Sequence, residues 1–504
     1  MVVPAACAWL ATIVLLSFPA WMVIVGVVGW LSAGAAITLA LPWNANPLPV
    51  RARSVLIGVA LSLAATALVA GAAAAAAPER RPAILAGAKS VSGATAITTQ
   101  TAVTSSRFFA ATLTRVDGEV MSVPVLIFGA APTGRTEIGT TLDLSGSLLA
   151  TPADDDVSYL VFARTPATLV APPPWYLGWA NGLRASFSAA AASLPGDGGE
   201  LLPGLAIGDT VNVSATLSAD MKTSSLSHLT AVSGANCAVL IGLILLVGRA
   251  IGLPRGLRIA LASLVLVGFV VLVTPQPSVV RSAIMAALVL AATAGGRPIG
   301  GLPVVGVTVL ALLVADPWLA VDYGFALSVL ATVGLMTLTS PLSRRLESMM
   351  PRWLALAIAV PLAAQLACQP VLILLSPSLP LYGVVANALA EPASPLATVV
   401  GLVACLALPL APAIGHCLTA IAWLPSAWIA AVAEFFARLP AARVPWPGGF
   451  VGAIILAILT GAALTLLLAR LSGRLRGALV ASSAAVLAAS VALSIAIPGV
   501  GVPA

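Results

Sequence analysis

Long apolar runs, separated by short polar loops, make up most of the chain. A helix that crosses a bilayer needs about 20 predominantly apolar residues. Runs of roughly this length predict a hairpin of two spans at 5–41, broken at Pro19, and further spans at 55–77, 229–248, 257–274, 278–294, 301–315, 320–339, 353–375, 380–410, 413–437, 449–470 and 477–497. Some runs are short and one is interrupted by proline, so we expect some helices to be broken or re-entrant.

Residues 78–190 follow a different pattern. Short apolar-rich or alternating stretches, separated by Gly, Pro and Asp, are typical of strands in a small sandwich or barrel. These stretches lie at 107–116, 121–128, 141–149 and 158–163. A helical apolar pattern begins near 175, and its Trp175 and Trp179 suit the headgroup level of a membrane surface.

The composition of the 504 residues supports a membrane protein. Hydrophobic residues make up 60% and charged residues only 8%, whereas a soluble domain carries about 25% charged residues. This excludes a cytosolic enzyme, a soluble nucleic-acid-binding domain, a disordered chain and a secreted disulfide scaffold. We expect an all-α polytopic membrane protein with an inserted β domain, divided into N-terminal helices at 1–77, the β domain with its interfacial helix at 78–190, and a membrane domain of about ten helices at 191–500.

Charge predicts the orientation. Most of the 17 acidic residues lie between Glu79 and Asp220, and the short loops on one side of the predicted topology hold only Arg438 and Arg443. The other side holds Arg51, Arg53, Arg249, Arg255, Arg258, Arg297, Arg344, Arg345, Arg352, Arg470, Arg474 and Arg476. Arginine-rich short loops face the cytoplasm, so we expect a multi-pass protein of the inner membrane whose β domain is extracytoplasmic. The same loops explain much of the net charge of +7 without invoking nucleic acid.

Few residues suit metal or redox chemistry. The five cysteines are scattered through apolar stretches without a CxxC pair, and the two histidines, His228 and His416, cannot build a multi-histidine metal site. The sequence contains no Walker motif. We therefore predict no enzyme activity and no cofactor.

The first of three polar constellations opens the first span of the large domain. Its sequence, SHLTAVSGAN at 227–236, contains His228, Ser233 and Asn236 between small residues. Small residues at helical spacing allow close helix packing, whereas buried polar groups in a membrane often line a functional path. A third alternative is an intramembrane hydrolase built on His228 and Ser233, although no acid partner is evident for them.

The second constellation, TPQPSVVR at 274–281, predicts a helix start. Pro277 and Ser278 are typical of a helix N-terminus, with Ser278 as the cap, and Arg281 falls near the first turn. A guanidinium beside exposed backbone N–H groups forms a site for an anion such as phosphate. Alternatively, Arg281 reaches lipid headgroups or pairs with Asp316 or Asp322.

The third constellation lies in the interrupted span 380–410, where Asn387 and Glu391 precede two prolines. Broken helices are tolerated in a membrane only inside protein or beside a water-filled cavity. Gln365 on the preceding helix is expected to join this polar seam. Glu391 either forms a structural ion pair with an arginine, which we favour, or acts as a gating or proton-carrying group.

Several motifs in order resemble the ComEC family of competence proteins. They are LAIGDT at 205–210, HLTAVSGAN at 228–236, PSVVRSAIM at 277–285, ADPW at 315–318, GFALS at 324–328, AQ at 364–365 and NALAEP at 387–392. The resemblance implies an inner-membrane channel for single-stranded DNA in natural transformation. It makes Arg281, Ser278, His228, Ser233 and Asn236 candidates for the DNA path, with an outward-facing OB-type β domain before them.

The resemblance also implies partners: single-stranded DNA, membrane lipid, an outer DNA receptor, a cytoplasmic helicase or motor, and a nuclease. Long family members carry a C-terminal metallo-β-lactamase-like domain. This sequence contains no HxHxDH motif, so we expect a short form that relies on a separate nuclease. An OB-type domain holds single strands by aromatic stacking and basic contacts, yet the insert leans acidic and its strands contain few aromatic residues.

A permease remains the main alternative to a DNA channel. It would use the same broken-helix cavity for a small molecule or polymer, with Glu391 as the coupling group.

Overall fold

The computed structural model describes residues 1–41, 49–103, 107–129, 135–230, 234–273, 277–294 and 301–468. Within these ranges the protein is mainly helical, with a small β barrel after the first three helices, which confirms the predicted fold class. Seven described helical segments are long and apolar enough to cross a membrane: Pro19–Ala40, Val50–Arg80, Arg255–Leu272, Tyr323–Leu346, Arg352–Leu375, Gly383–Ala407 and Pro412–Ala437. The predicted span 477–497 lies outside the described residues.

The N-terminal helices are α1 (Val2–Ser17), α2 (Met22–Ala40) and α3 (Val50–Arg80). The chain reverses at a 3-10 turn, Pro19–Trp21, where the sequence predicted a break. Helices α1 and α2 both pack against α3. A Cβ atom at Gly29 would lie 2.9 Å from the Cβ of Ala67. The missing side chain at Gly29 therefore allows the backbone of α2 to pack directly against Ala67 of α3.

The β domain contains β1 (Ser90–Thr98), β2 (Ala102–Val103), β3 (Phe108–Val116), β4 (Glu119–Phe128), β5 (Arg135–Thr136), β6 (Thr141–Ala150), β7 (Tyr159–Ala163) and β8 (Thr168–Ala171). The main sheet has the order β1-β3-β4-β7-β6-β8, and pairing of β1 with β6 closes five of these strands into a barrel. Only the β4–β7 pair is parallel among the pairings of this sheet. A small Greek-key barrel of this kind is compatible with an OB-like fold.

Alternation along the strands builds the core of the barrel. Phe109, Leu113, Ile127, Leu142 and Val161 are fully buried, while their neighbours in each strand face outward. Strand β1, which the sequence pattern did not reveal, pairs with both β3 and β6, and the register shifts once in each pairing.

The large domain contains the helices α4 (Trp175–Ala192), α5 (Gly196–Ile207), α6 (Ala215–Thr223), α7 (Ser227–Thr230), α8 (Gly234–Ala250), α9 (Arg255–Leu272), α10 (Pro277–Ala294), α11 (Gly301–Ala315), α12 (Tyr323–Leu346), α13 (Arg352–Leu375), α14 (Gly383–Ala390), α15 (Ser394–Ala407), α16 (Pro412–Ala437) and α17 (Gly449–Leu468). Two short strands, β9 (Ser378–Pro380) and β10 (Arg443–Pro445), pair with each other.

Helices α4 and α5 belong to the core of this domain. The exposed aromatic residues of α4, including Trp175 and Trp179, lie in its first half, whereas Leu183, Arg184, Phe187 and Ala191 bury one face of its second half. Helix α5 is almost entirely buried against α15 and α16. A Cβ atom at Gly401 of α15 would lie 2.8 Å from the Cβ of Ala206, which shows how closely these helices approach. The hydropathy pattern did not predict α5 because it is much shorter than a span.

The β barrel is attached to the bundle at the loop between β6 and β7. Arg81, just after α3, donates from Nη2 to the carbonyls of Thr151 and Pro152, each at 2.6 Å. Trp318, which precedes α12, donates from Nε1 to the carbonyl of Ala153 at 3.0 Å. These bonds fix one end of the barrel to the ends of the first helices and to the α11–α12 connection.

Arg80 completes this attachment. Its Nη1 lies 3.4 Å from Oδ1 of Asp316, its guanidinium carbon lies 4.2 Å from the centre of the Trp318 ring, and it donates to the carbonyl of Asp156. Ser17 at the end of α1 donates to Oδ2 of Asp154 at 3.1 Å. The aspartate loop 154–156 is therefore a docking element of the barrel.

A second attachment lies at the opposite end of the barrel. Asn181 of α4 donates from Nδ2 to the carbonyl of Ile138 at 3.0 Å. A Cβ atom at Gly139 would lie 2.6 Å from Cδ1 of Leu177, and its φ of +84° also requires glycine. The barrel is thus held between the N-terminal helices on one side and α4 on the other.

Candidate functional site

Two of the polar constellations meet at the break in the span 383–407. Helix α14 ends at Ala390, a 3-10 turn follows at Glu391–Ala393, and α15 begins at Ser394, so the predicted interruption is confirmed. Nε2 of His228 on α7 lies 4.0 Å from Oε1 of Glu391, and the two side chains are 52% and 32% exposed. Among the described residues, the ionisable partner of Glu391 is therefore a histidine, which carries a charge only when protonated, and not the arginine that the sequence suggested.

Asn387 joins this break to the chain before α7. It is 5% exposed, and its Nδ2 donates to the carbonyl of Gly383 at 2.7 Å and to that of Ser225 at 3.2 Å. Its Oδ1 is buried and has no partner among the described residues. A buried amide that binds two backbone segments fixes their relative position, and the unpaired oxygen leaves one acceptor available.

Gln365 of α13 lies at the same crossing. Its Nε2 donates to the carbonyl of Pro380 at 3.5 Å. A Cβ atom at Gly383 would lie 3.1 Å from Oε1 of Gln365 and 3.1 Å from the Cβ of Ser225, so a larger residue would push these groups apart. The structure therefore brings Gln365, Asn387, Glu391 and His228 together, which we call the polar break.

Arg281 forms the second part of the site. Helix α10 begins at Pro277, as the sequence predicted. The Arg281 side chain is 2% exposed, and its Nε and Nη1 have no partner among the described residues. The side chain of Ser278 lies outside the description. Two buried guanidinium nitrogens without an acceptor are costly, because each has lost contact with water without gaining a hydrogen bond.

The two acidic residues proposed as partners of Arg281 are placed differently. Asp316 contacts Arg80 at 3.4 Å instead. Asp322 lies within electrostatic range of Arg281, but it also caps α12 by accepting from the backbone N–H of Phe325. Burial raises the pKa of Asp322, and the adjacent Asp316 raises it further. Asp322 therefore compensates the charge of Arg281 only in part.

Helices α7 and α8 connect the polar break to Arg281. His228 is on α7, and Asn236, which is 4% exposed, is near the start of α8. Cys237 beside it is 1% exposed and lies close enough to interact electrostatically with Arg281. Ser233 lies between them, outside the described residues. His228 thus lies beside Glu391, and Cys237 lies near Arg281.

Two small cavities, of about 80 and 30 Å³, lie away from Arg281 and the polar break. The larger is beside Arg80 and Arg81, under the docked loop of the barrel, and the smaller is between α12, α13 and α17. Arg281 and Asn387 are buried, at 2% and 5% exposure, whereas His228 and Glu391 are partly exposed.

Arg184 is a buried charge that the sequence analysis missed. It is 2% exposed on α4, and it donates from Nε to the carbonyl of Leu272 at 2.7 Å, from Nη2 to that of Val271 at 2.8 Å, and from Nη1 to Asn181. These carbonyls end α9, just before the connection to α10 and Arg281. The sequence signal was a lone Asn and Arg three residues apart in an otherwise apolar helix.

These features define a multi-pass membrane protein with an attached β barrel and a buried polar centre in its large helical domain. The profile of the family described as Competence protein matches residues 205–471. This match covers more than half of the chain and includes α7, α10 and the polar break, so the chain belongs to the Competence protein family, which indicates a role in DNA uptake during transformation. No curated protein and no solved structure matches the chain.

Proposed function

We propose that this protein is the inner-membrane channel through which single-stranded DNA enters the cytoplasm during natural transformation. The observation that carries the proposal is Arg281, a buried arginine with two unpaired nitrogen donors in the domain matched to the Competence protein family. If the protein transports DNA, the anion that reaches this guanidinium would be a phosphodiester of the strand.

Electrostatics supports this role for Arg281. Each phosphate of a DNA strand is costly to transfer into an apolar bundle unless water or a cation accompanies it. A guanidinium provides charge-assisted donors in a planar arrangement that matches phosphate oxygens. Because few cations lie inside the bundle, Arg281 would bind successive phosphates only transiently, and water would accompany the rest of the strand.

Transport also requires the described helices to separate. Arg281 and Asn387 are buried, at 2% and 5% exposure, which corresponds to a closed arrangement for a strand that would contact them. The 3-10 turn at Glu391–Ala393 would provide a point for opening, because it interrupts the α-helical hydrogen-bond pattern and Pro392 has no backbone N–H to donate.

The orientation and partners follow from this proposal. The β barrel would face outward and receive DNA from an outer receptor. The sequence contains no Walker motif, so a cytoplasmic helicase or motor would supply the energy. A separate nuclease would degrade the strand that is not transported.

A permease is the second candidate, and the contact between His228 and Glu391 at 4.0 Å favours it. A histidine and a glutamate at a helix break can exchange protons, and proton exchange couples many permeases to the membrane gradient. In that case Glu391 would be essential and Arg281 would not.

The test is uptake of labelled DNA together with transformation frequency in a competent host. It compares wild type, a deletion, Arg281→Ala and the matched control Arg249→Ala, which removes an exposed arginine at the end of α8, all at equal membrane abundance. We expect surface DNA binding in every strain, and loss of cytoplasmic DNA only in the deletion and in Arg281→Ala.

Two results would decide against the proposal. Normal uptake in the deletion strain would exclude a DNA channel, and the permease would become the leading candidate. Normal uptake in Arg281→Ala would exclude the phosphate contact. Ser233→Ala tests the hydrolase alternative, because a nucleophile would be indispensable, whereas we expect uptake to persist in this variant.

A further inference from the structure

A chain of buried polar side chains extends from the β barrel into the helical bundle. Its members are Thr98 at the end of β1 and Asn181 and Arg184 on α4, which are 1%, 3% and 2% exposed. The chain begins where Thr98 binds the loop between β5 and β6, and it ends at the last carbonyls of α9. We call these three residues the polar strut.

The barrel end of the polar strut is fixed by hydrogen bonds to a short loop. Thr98 donates from Oγ1 to the carbonyl of Glu137 at 2.6 Å, and the same Oγ1 accepts from the backbone N–H of Thr140 at 3.1 Å. The backbone N–H of Gly139 donates to the carbonyl of Thr98 at 2.9 Å. These bonds tie the loop to β1, so the carbonyl of Ile138 within the loop has a fixed position in the barrel.

Asn181 joins this loop to Arg184. Its Nδ2 donates to the carbonyl of Ile138 at 3.0 Å, and its Oδ1 accepts from Nη1 of Arg184. A side-chain amide can donate and accept at once, whereas an ionised carboxylate only accepts and an apolar side chain does neither. Because Asn181 is buried, losing either bond leaves a polar group without a partner and without water.

Arg184 continues the connection into the bundle. It donates from Nε to the carbonyl of Leu272 at 2.7 Å and from Nη2 to that of Val271 at 2.8 Å. Helix α9 ends at Leu272 and α10 begins at Pro277, so only residues 273–276 separate these carbonyls from the helix that carries Arg281. Helices α9 and α10 also pack against each other. The position of the end of α9 therefore restricts the position of the start of α10.

We propose that Asn181 is a positioning residue that couples docking of the β barrel to the placement of Arg281. This inference rests on the proposed function, because it describes how the phosphate contact at Arg281 is aligned. While the barrel is docked, the Asn181 amide orients the guanidinium of Arg184, and Arg184 holds the end of α9. When the bond to Ile138 is lost, the amide is free to rotate, and Arg184 loses an acceptor that orients it.

The variant Asn181→Asp separates the two bonds of the amide. A carboxylate still accepts from Arg184, but it cannot donate to the carbonyl of Ile138 and it repels that oxygen. We therefore expect a Tm close to that of wild type, with loss of this barrel attachment. Gly139→Ala removes the attachment from the barrel side, because its Cβ atom would lie 2.6 Å from Cδ1 of Leu177 and φ at Gly139 is +84°.

The first measurement is the distance between two spin labels in the full protein in nanodiscs. The labels are attached at Val120→Cys on the barrel and Leu264→Cys on α9, whose native side chains are 78% and 68% exposed. Exposed Cys7 and Cys417 are replaced by alanine. Without the Asn181 and Gly139 substitutions, double electron–electron resonance is expected to give one narrow distance distribution. Both substitutions are expected to broaden it, because the barrel then moves on its remaining attachment.

The second measurement is uptake of labelled DNA at equal membrane abundance. Asn181→Asp is expected to lower uptake about tenfold, which corresponds to the loss of one hydrogen bond, while the Tm stays near that of wild type. Ser17→Ala is the matched control, because it removes the bond to Asp154 at the other attachment and leaves the polar strut intact. We expect wild-type uptake and a wild-type distance distribution for this control.

An unchanged distance distribution in Asn181→Asp or in Gly139→Ala would overturn the proposal, as would wild-type uptake in a variant whose distribution is broadened. Uptake that falls only in proportion to the Tm would show that Asn181 merely stabilises the fold, and the positioning role would again be wrong. The proposed function fails separately: normal uptake in the deletion strain removes it, whereas the spin-label distances are measured without DNA.

Discussion

Two arginines are equally buried in the helical bundle, but their surroundings differ. Arg184 and Arg281 are each 2% exposed. Arg184 donates to the carbonyls of Leu272 and Val271 and to Asn181. Arg281 has two nitrogen donors without partners among the described residues.

The difference shows which buried charge supports the fold. Arg184 lies at the C-terminal end of α9, where unpaired carbonyls and the helix dipole favour a cation. Arg281 lies near the N-terminal end of α10, where the dipole disfavours one. Arg184 therefore stabilises the fold, whereas Arg281 destabilises it, and this cost supports the proposed role of Arg281 in binding phosphate.

The largest effect is expected from Arg184→Met. It leaves three acceptors buried without their donor, and breaking a buried charged interaction costs about 3–5 kcal/mol. We expect low membrane abundance and a Tm lowered by several degrees in detergent. Arg184→Lys, which retains the charge but not the planar set of donors, is the control and is expected to be intermediate. A wild-type Tm in Arg184→Met would contradict the structural role.

Arg281→Met sharpens the comparison because, unlike Arg184→Met, it is expected to leave the Tm unchanged or to raise it. Replacing an unpaired buried charge with an apolar side chain of similar length is often neutral or stabilising. We expect a Tm equal to or above that of wild type, with loss of DNA uptake. A Tm that falls as far as in Arg184→Met would show that Arg281 has a structural partner, and the contrast would disappear.

Glu391→Gln tests whether the polar break acts through charge. Under the channel hypothesis the break mainly organises α14 and α15, so uptake is expected to fall less than about twofold. Loss of uptake with normal abundance would indicate that Glu391 carries protons, as in the permease hypothesis. Asn387→Leu is the comparison variant: it removes the bonds to Gly383 and Ser225 and is expected to lower abundance.

The smallest effect is expected at the docked loop of the barrel. Partial burial and the nearby Asp322 raise the pKa of Asp156 to about 6, although Arg80 opposes this shift. The docked state therefore binds a proton more readily than the free loop, whose aspartate has a pKa of about 3.9, and docking gains stability as pH falls from 7.5 through 6. Proteolysis of the barrel is expected to slow slightly at pH 5.5 in wild type, and Asp156→Asn is expected to reduce this pH dependence.

The helical part of the fold could be predicted from the sequence because apolar runs must be helices in a bilayer. The broken span at 383–407, the reversal at Pro19 and the start of α10 at Pro277 all follow from local rules for proline. Helix α5 and strand β1 could not be predicted this way. The first is too short for a span, and the second depends on bulges that show no clear pattern.

The sequence predicted which residues belong to the candidate site, but it did not predict how they are arranged. Polar side chains in apolar stretches identified Arg281, His228 and Glu391 individually. Their partners depend on contacts between distant segments: Glu391 meets His228, and Asp316 meets Arg80 instead of Arg281. Arg184 gave only a weak signal, its spacing from Asn181, and its carbonyl partners could not be predicted because they are backbone groups 87 and 88 residues away.

By itself, the sequence determined a multi-pass helical protein with an inserted β domain, because hydrophobic burial and backbone pairing in lipid act on every residue locally. Only the tertiary structure decided which polar groups are paired and which aromatic rings align. Phe108, Phe128 and Phe162 are distant in the chain, and sheet register places them side by side. Strand register and helix packing depend on many residues far apart in the chain, so the contacts that they create cannot be predicted from any local sequence pattern.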